Sequence, residues 1–224
     1  MIPKISIASG LSAAISTACL IKKPEEASSL KLTEREQAQL EKKMDKEDFC
    51  TIHRYPELFF LAKIDETKAH YQKKETARVA GNKLYETLKA SGNKSVQLVN
   101  FCEEDLLPAF IEGLLLSSYQ FDKYKKEKEP CLLEDVIIVD DKLSEEQVQQ
   151  IANTTKAVFT ARDLVNEPLS YLTATQFSSE IERLSNDAGF TLEVFNKKKI
   201  ETLKMGGLLA VNKGSIDPPT FNIL

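Results

Sequence analysis

Short apolar runs with the two-residue period of a strand alternate along the chain with longer segments whose apolar residues recur at helical spacing. The runs "SVQLVNF" at 95–101 and "EDVIIVD" at 134–140 are rich in β-branched residues, which favours strands buried on both faces. Between strand-like runs, residues 71–91 place Ala77, Ala80, Leu84 and Leu88 on one helical face. This alternation predicts an α/β domain over residues 1–142, with helices on both faces of a mixed or largely parallel sheet.

Capping, turn and proline residues support several of these elements. Thr33 and Glu36 have the spacing of a capping box and predict the start of a charged surface helix. "CTIHR" and "LFFLAKI" predict two strands separated by Pro56, which cannot continue a ladder. "SGNK" after the 71–91 helix offers a glycine for a left-handed cap, and residues 103–125 predict a further helix that is apolar over much of its surface.

The first 23 residues, "MIPKISIASGLSAAISTACLIKK", have a lysine followed by a small apolar run, as secretory signals do. Polar residues interrupt this run repeatedly, and Ile5 and Ile7 alternate with polar neighbours before an "ASG" turn. The pattern therefore favours two short strands in a hairpin-like start.

A long helix is predicted from Ser144, a suitable N-cap followed by two glutamates, to about Val165. Pro168 in "ARDLVNEP" stops it, because proline disfavours helical geometry at the residue before it. Four small residues permit close packing on the helix without a break at "NTT": Ala152, Thr155, Ala157 and Ala161. Its position predicts a connector between two domains.

A second α/β rhythm follows Pro168. The pattern predicts a helix capped by Thr173, a strand in "FTLEVF", a short helix stopped by Gly206 and Gly207, a strand in "LLAVNKGS" and an apolar strand in "PPTFNIL". A strand normally hands over to a covering element, so we expect this second domain to be incomplete. The predicted organisation is residues 1–142 as the first domain, 143–166 as the connecting helix and 167–224 as the beginning of the second domain.

Composition narrows the functional classes. Of the 224 residues, 42% are hydrophobic and 29% charged, as in soluble globular proteins, and no apolar run reaches the length of a membrane span. A net charge of -4 gives no field for binding nucleic acid. The cysteines are widely spaced and indicate reduced core residues of a cytoplasmic protein: Cys19, Cys50, Cys102 and Cys131.

Several residue types could carry chemistry, but each has a simpler structural interpretation. His53 and His70 lack ligand partners nearby in sequence, and the acids at 103–105 (Glu103, Glu104 and Asp105) suit the start of a helix better than a metal site. Lys213 is interpreted as a solvated turn residue, and Gly206 and Gly207 as a helix cap. Cys102 has no histidine base close in sequence, so packing is favoured over nucleophilic catalysis.

Three stretches, taken together and in order, carry a family resemblance. They are "IEGLLLSSYQFDKYK" at 111–125, "ARDLVNEP" at 161–168 and "MGGLLAVNKGSIDPP" at 205–219. With them the chain resembles the cytosol (leucyl) aminopeptidase family. The resemblance covers the second half of the chain well, whereas residues 1–100 show only a compatible α/β pattern.

The resemblance implies a macro-domain-like N-terminal α/β sandwich, a long interdomain helix and the first elements of a truncated catalytic domain. The complete family enzymes are expected to be cytoplasmic homo-hexamers that hold two divalent metal ions, zinc or manganese, and release N-terminal residues from peptides. The family's metal ligands and catalytic side chains lie beyond the matching segment. No catalytic, cofactor-binding or metal-ligating role is therefore assigned to any residue of this chain, and the 224 residues alone are expected to be inactive.

Two other functional classes stay open. The macro-like fold binds ADP-ribose in other proteins, which makes a non-catalytic ligand-binding module possible, although residues 1–142 contain no glycine-rich phosphate loop. The hexameric state of the family suggests a pure oligomerisation element as the other alternative.

Overall fold

A computed structural model describes residues 2–127, 132–140 and 142–224. The chain divides into two compact units, the first extending to Ala161 and the second comprising Arg162–Leu224. No helix in the described ranges is long and apolar enough to cross a membrane.

The first unit is built on six strands and their connecting helices. The strands are β1 Lys4–Ile7, β2 Ser16–Ile21, β3 Phe49–Arg54, β4 Glu57–Lys63, β5 Ser95–Asn100 and β6 Asp135–Ile138. The helices are a 3₁₀ helix Pro24–Leu30, α1 Glu34–Met44, α2 His70–Ser91, α3 Leu106–Ser117 and α4 Glu145–Asn166, the last of which continues into the second unit.

The strands form one sheet in the order β1-β6-β5-β2-β4-β3. All neighbouring pairs are parallel except β3 with β4, which form an antiparallel hairpin around Tyr55 and Pro56. The predicted mixed, largely parallel sheet is confirmed. The hairpin-like start is wrong, because β1 pairs with β6 while β2 lies between β5 and β4. These pairings join segments far apart in sequence.

Helices cover both faces of this sheet, as predicted. Alternate side chains of β2 point to opposite sides, since successive residues of a strand face opposite ways. Ala18 and Leu20 belong to the core cluster that includes residues of α2, α3 and α4. Cys19 and Ile21 belong to a second cluster with the 3₁₀ helix and α1. The sheet therefore has two cores, one on each face.

Two of the helix ends predicted in the first unit, the start of α1 and the end of α2, are confirmed. The Thr33 hydroxyl accepts from the Glu36 N–H, and the Glu36 carboxylate accepts from the Thr33 N–H at 2.7 Å. Gly92 ends α2 with a left-handed φ of 71°. The helix predicted for 103–125 ends earlier, at Ser117. The hydroxyls of Ser117 and Ser118 donate to carbonyls of the last turns, at 2.7 Å each, and so compete with backbone donors there.

The backbones of α2 and α3 touch at two glycines. A Cβ added to Gly81 would lie 2.3 Å from the Phe110 carbonyl oxygen, and one added to Gly113 would lie 2.1 Å from that of Arg78. Only glycine fits at either position. Beside this contact, Arg78 donates to the Glu112 carboxylate at 2.7 Å and links the same two helices.

One buried glutamine ties the β1–β2 connection to the sheet. The Gln97 amide donates to the carbonyls of Ser12 and Ile15 and to the Thr17 hydroxyl, and its oxygen accepts from the Ser12 N–H at 2.9 Å. Gln97 is almost completely buried. The loop that leaves β1 therefore folds back over the middle of β5.

The cysteines follow the structural interpretation where the structure describes them. Cys19 and Cys50 are buried free thiols, and Cys102 is a partly buried one. Cys131 lies outside the described residues.

The long helix α4 is continuous, as predicted. The Ser144 hydroxyl accepts from the Gln147 N–H, and the Gln147 side chain accepts from the Ser144 N–H. Thr155 in "NTT" is buried and donates to the Ile151 carbonyl within the helix. The helix ends at Asn166, two residues before Pro168.

The second unit contains α5 Ala174–Ala188, β7 Glu193–Phe195, α6 Lys197–Thr202, α7 Gly206–Asn212 and β8 Phe221–Ile223, with β7 and β8 antiparallel. Thr173 caps α5 as predicted. The strand predicted in "LLAVNKGS" is wrong, since Leu208–Val211 lie in α7. A short apolar run carries no period that separates strand from helix.

The glycine cap predicted at Gly206 and Gly207 is also wrong, because these residues begin α7. The left-handed residue after α6 is Lys204, with φ 56°. Lys213 is exposed and follows the last turn of α7.

Candidate functional site at the carboxyl edge of the sheet

The order of the strands singles out one edge of the first sheet. After β2 the chain adds β3 and β4 on one side of β2, and after β5 it adds β6 on the other side of β5. The direction in which strands are added to the sheet therefore reverses between β2 and β5. Open α/β sheets bind ligands at the carboxyl ends of strands beside such a reversal. Here those ends are followed by Lys22 after β2 and by Cys102 and Glu103 after β5.

Side chains of the chain itself occupy this position. The Lys22 N–H donates to the Glu26 carboxylate at 2.7 Å, and the Lys22 ammonium pairs with Glu66 at 3.3 Å. Asn100 fixes the loop after β5, since its amide donates to the Glu103 carbonyl and its oxygen accepts from the Cys102 N–H. The place between β2 and β5 where the strand order reverses, the switch point, is thus closed by internal hydrogen bonds and an ion pair.

Cys102 is a neutral thiol in this setting. Burial, followed by the nearby Glu26 carboxylate, raises the pKa of Cys102 to about 12. Because the thiolate is the nucleophilic form, Cys102 is poorly suited to covalent catalysis.

Next to the switch point, the structure brings His70 beside two of the acids at 103–105, a grouping that the sequence did not predict. The nearest ligand atoms of His70, Glu103 and Asp105 all lie within 4.8 Å of one another. His70 begins α2, and Asp105 precedes α3, so the packing of these helices creates the cluster. Neither periodicity nor spacing could indicate this, since His70 and Asp105 are 35 residues apart.

The donor set suits a divalent ion, but the charges around it do not. Lys73 pairs with Glu103 at 2.6 Å, while Lys74 and His70 contact the same Asp105 oxygen at 2.9 Å and 2.6 Å. Burial alone raises the pKa of Asp105, yet the hydrogen bonds from Lys74 and His70 lower it on balance. Two helix N-termini add positive potential. The group therefore acts as an ion-pair cluster and fits a metal ion poorly.

Two open cavities flank this region. A crevice of about 620 Å³ lies at the ends of β1, β5 and β6 and is lined by Ile7, Ala8, Ser9, Asn100, Val139, Asp140, Lys142 and Glu145. A groove of about 330 Å³ runs between α4 and the pair α2–α3, with Ala109, Ile151 and Thr155 among its lining residues. The Asp140 carboxylate in this crevice already has a hydrogen-bond partner, because it accepts from the Lys142 N–H at 2.7 Å.

His53 and Glu104 do not join the cluster of His70, Glu103 and Asp105. His53 is exposed on β3, at the far side of the sheet, and Glu104 pairs with Lys142 at 3.6 Å. Within the described ranges, His70, Glu103 and Asp105 form the one group of three or more His, Cys, Asp or Glu residues close enough to share a metal ion.

Comparisons with known proteins connect this two-unit chain to one family. Residues 159–224 match the catalytic domain of the cytosol aminopeptidase family. A probable cytosol aminopeptidase of Clostridium perfringens is 34% identical over 163 residues, which is 67% of this chain and 33% of the relative. One of Bacillus subtilis is 39% identical over 141 residues, covering 58% of this chain and 28% of the relative.

Solved structures show the same fold. A mutant of tomato leucine aminopeptidase superposes with a TM-score of 0.78 at 16% identity, covering 99% of this chain and 50% of that protein. The bottromycin maturation enzyme BotP in complex with Mn gives a TM-score of 0.71 at 21% identity, covering 94% of this chain and 44% of that protein.

The chain belongs to the cytosol aminopeptidase family, which is a family of peptidases. It spans about a third of the length of the curated relatives that it matches. Glu112 and Gly113 lie in the stretch at 111–125 that carries part of the resemblance, and both contribute to the packing of α2 on α3.

Proposed function

We propose that this chain is the N-terminal portion of a leucyl aminopeptidase-like, dinuclear metallo-exopeptidase that releases N-terminal amino acids from peptides. The observation that carries the proposal is the match of residues 159–224 to the family's catalytic domain. The first unit then corresponds to the macro-like N-terminal domain and α4 to the connector. The complete protein is proposed to be a cytoplasmic homo-hexamer.

The metal centre of this enzyme is proposed to lie outside residues 1–224. When bound, two divalent ions activate water and polarise the scissile carbonyl. The Mn complex of BotP supports manganese as one candidate, with zinc as the other. The His70 cluster does not replace that centre, because Lys73 and Lys74 already neutralise its carboxylates.

The role of this chain's own residues is structural in the proposal. Pro168 ends α4, and the helix α5 that follows begins at a Thr173 cap, so the chain leaves the connector and enters the catalytic portion within a few residues. The chain alone is expected to hydrolyse no aminoacyl amide and to bind neither zinc nor manganese tightly.

A fusion protein tests this function. Residues 1–224 joined to the remaining sequence of the Clostridium perfringens relative should hydrolyse leucyl amides with manganese or zinc, and a chelator should abolish the activity. The unfused chain should show neither turnover nor a stoichiometric metal site by calorimetry. His70→Ala in the fusion should retain activity, since His70 lies outside the proposed centre.

Two results would refute the proposal. A folded fusion without turnover would remove the aminopeptidase assignment, and chelator-sensitive turnover by the unfused chain would show that the active centre lies within residues 1–224.

The alternative is a non-catalytic ligand-binding or oligomerisation module. The crevice at the ends of β1, β5 and β6 supports the ligand-binding version, because it is an open cavity at the carboxyl edge of the sheet, beside the closed switch point. Calorimetry with ADP-ribose on the unfused chain tests it. Binding that Ser9→Trp abolishes would support this module, whereas absence of heat would exclude ADP-ribose as its ligand.

A further inference from the structure

The two edge strands of the first sheet differ in how they are protected from further pairing. Edge strands expose unpaired N–H and C=O groups, and proteins commonly block them by short length, lysine or proline. The strand β1 follows this rule, since it has four residues, begins at Lys4 and is preceded by Pro3. At the opposite edge, β3 has six residues and contains neither lysine nor proline. The less protected edge is therefore that of β3.

Three residues of β3 direct their backbone groups away from β4. The Asp48 carbonyl accepts from the Lys63 N–H at 2.8 Å, and hydrogen-bonded pairs alternate with non-bonded ones along an antiparallel ladder. The N–H and C=O groups of Phe49, Thr51 and His53 consequently face outward. Among the described residues, none of these groups has a hydrogen-bond partner. An added strand would satisfy all of them.

An open crevice of about 630 Å³ adjoins this edge, between β3 and α2. Phe49, Thr51 and Phe60 are among its lining residues, and the Lys83 ammonium lies 3.9 Å from the centre of the Phe49 ring. Alternate side chains of a strand point to the same face of a sheet. A strand added to β3 would therefore direct every second side chain towards this crevice.

The sequence of β3 is complementary to a second copy of itself. With a two-fold axis at Thr51, antiparallel pairing places Thr51 opposite the partner's Thr51, Phe49 opposite the partner's His53 and Asp48 opposite the partner's Arg54. Thr–Thr, aromatic and opposite-charge pairs are the favourable cross-strand pairs, and no like charges face each other from 48 to 54.

The ends of this pairing are also suited to a partner. Arg54 uses Nε and Nη2 to bind Glu36 and the Lys31 carbonyl, so within the described ranges its Nη1 donors stay available to a second carboxylate. Tyr55, at the end of the hairpin, is 100% exposed and would lie opposite the partner's Glu47. Exposed aromatic residues of this kind are enriched in protein interfaces.

We propose that two copies of this chain associate through their β3 strands, in the antiparallel register centred on Thr51. The two six-stranded sheets then become one continuous sheet, and the crevice beside Phe49 receives the partner's His53. The inference uses the first unit alone and does not rest on the proposed function. A contact of six residues on each side is small, so the dimer should be reversible, with a Kd on the order of micromolar.

Sedimentation velocity over a concentration series of the 224-residue chain tests the proposal. A monomer–dimer equilibrium is expected. Thr51→Lys should weaken it about tenfold or more, since it places two ammonium groups opposite each other at the two-fold axis. Ser6→Lys adds the same charge to the other edge strand, β1, and is the matched control that should leave the dimer intact. Circular dichroism checks that both variants are folded.

Cysteine cross-linking tests the register. Directly opposite residues of an antiparallel ladder have Cα atoms about 4.5 to 5.5 Å apart, which a disulfide can span. Mild oxidation of Thr51→Cys should therefore give a covalent dimer, detected on a non-reducing gel. Ser6→Cys and the wild-type chain are the controls and should give none.

Four results would overturn the proposal. They are a chain that stays monomeric at about a hundred times the expected Kd, a dimer that folded Thr51→Lys leaves intact, a dimer that Ser6→Lys weakens equally, and a Thr51→Cys chain that forms no cross-link. A monomeric chain whose β3 amides are protected from hydrogen exchange by a synthetic Thr-Val repeat peptide would assign the edge to extended peptides and would also overturn it.

Discussion

The buried side chain of Gln97 holds the β1–β2 loop against β5 through its hydrogen bonds. Replacing it with leucine would leave the Ser12 N–H and the carbonyls of Ser12 and Ile15 without their partner. Each unsatisfied buried group costs about 1 to 3 kcal/mol, so we expect Gln97→Leu to lower the free energy of unfolding by at least about 2 kcal/mol.

Urea denaturation followed by circular dichroism measures this loss. The control is Gln149→Leu, because Gln149 is exposed on α4 and its amide contacts Asn153 on the same helix. If both variants were equally stable, the hydrogen bonds of Gln97 would contribute nothing net.

Glu36 makes the stability of the first unit depend on pH. Hydrogen bonds from Arg54 lower the pKa of Glu36 to about 2, against about 4.3 in an unfolded chain. Because the folded pKa is depressed, this stabilisation is fully present above the unfolded pKa and is lost as pH falls towards 2.

Glu36→Gln should therefore lower the free energy of unfolding by about 1 to 2 kcal/mol at pH 7, and this difference from the wild type should shrink at pH 2.5. Glutamine can still form the capping box with Thr33, so the change isolates the pair with Arg54. Glu34→Gln on the same helical turn is the control. A difference that does not change with pH would contradict the assigned pKa.

At the scale of elements, the crossing of α2 and α3 is fixed by glycines. Gly113→Ala would put a methyl group onto the backbone of Arg78, and such overpacking costs about 1 to 3 kcal/mol or more. The midpoint of thermal unfolding should fall accordingly.

Gly207→Ala in α7 is the opposite case and the matched control. Nothing lies within 4 Å of a Cβ there, and alanine favours a helix over glycine by about 1 kcal/mol. We expect this variant to be as stable as the wild type or slightly more stable. A tolerated Gly113→Ala would show that the two helices can separate without cost.

Elements specified by neighbouring residues could be predicted from sequence, and those specified by distant partners could not. Thr33 with Glu36 and Gly92 act within one turn, so their helix ends were correct. The pairing of β1 depends on β6, more than a hundred residues away, and a single strand pattern contains no information about its partner.

The candidate site illustrates the same limit. Gln97 lies in a strand predicted to be buried on both faces, but the sequence does not show that the β1–β2 loop supplies the hydrogen-bond partners of its amide. His70 and Asp105 each suit a helix start, and only the packing of α2 on α3 brings them together. In α7 the apolar run fits either a strand or a helix, so tertiary context had to decide.

At the scale of the whole molecule, the two units differ greatly in how much apolar surface they bury. Both core clusters lie in the first unit, whereas the large apolar side chains buried in the described part of the second unit are Phe195 and Ile200. Local stability follows buried apolar contacts, so the second unit should open more easily.

Hydrogen exchange with mass spectrometry on the isolated chain tests this difference. Amides of α5, β7 and α6 should exchange well before those of β2 and β5. Equal protection of the two units would mean that the second is stabilised by interactions other than its own apolar burial.

The two faces of β2 have a consequence for how the protein tolerates change. Cys19 and Leu20 are adjacent in the chain, yet they belong to separate cores on opposite sides of the sheet. Energetic coupling is strongest between residues that share contacts, so substitutions at Cys19 and Leu20 should couple less than pairs of substitutions within one core. Each core can therefore accumulate compensating substitutions separately, even though residues of both cores alternate along the single strand β2.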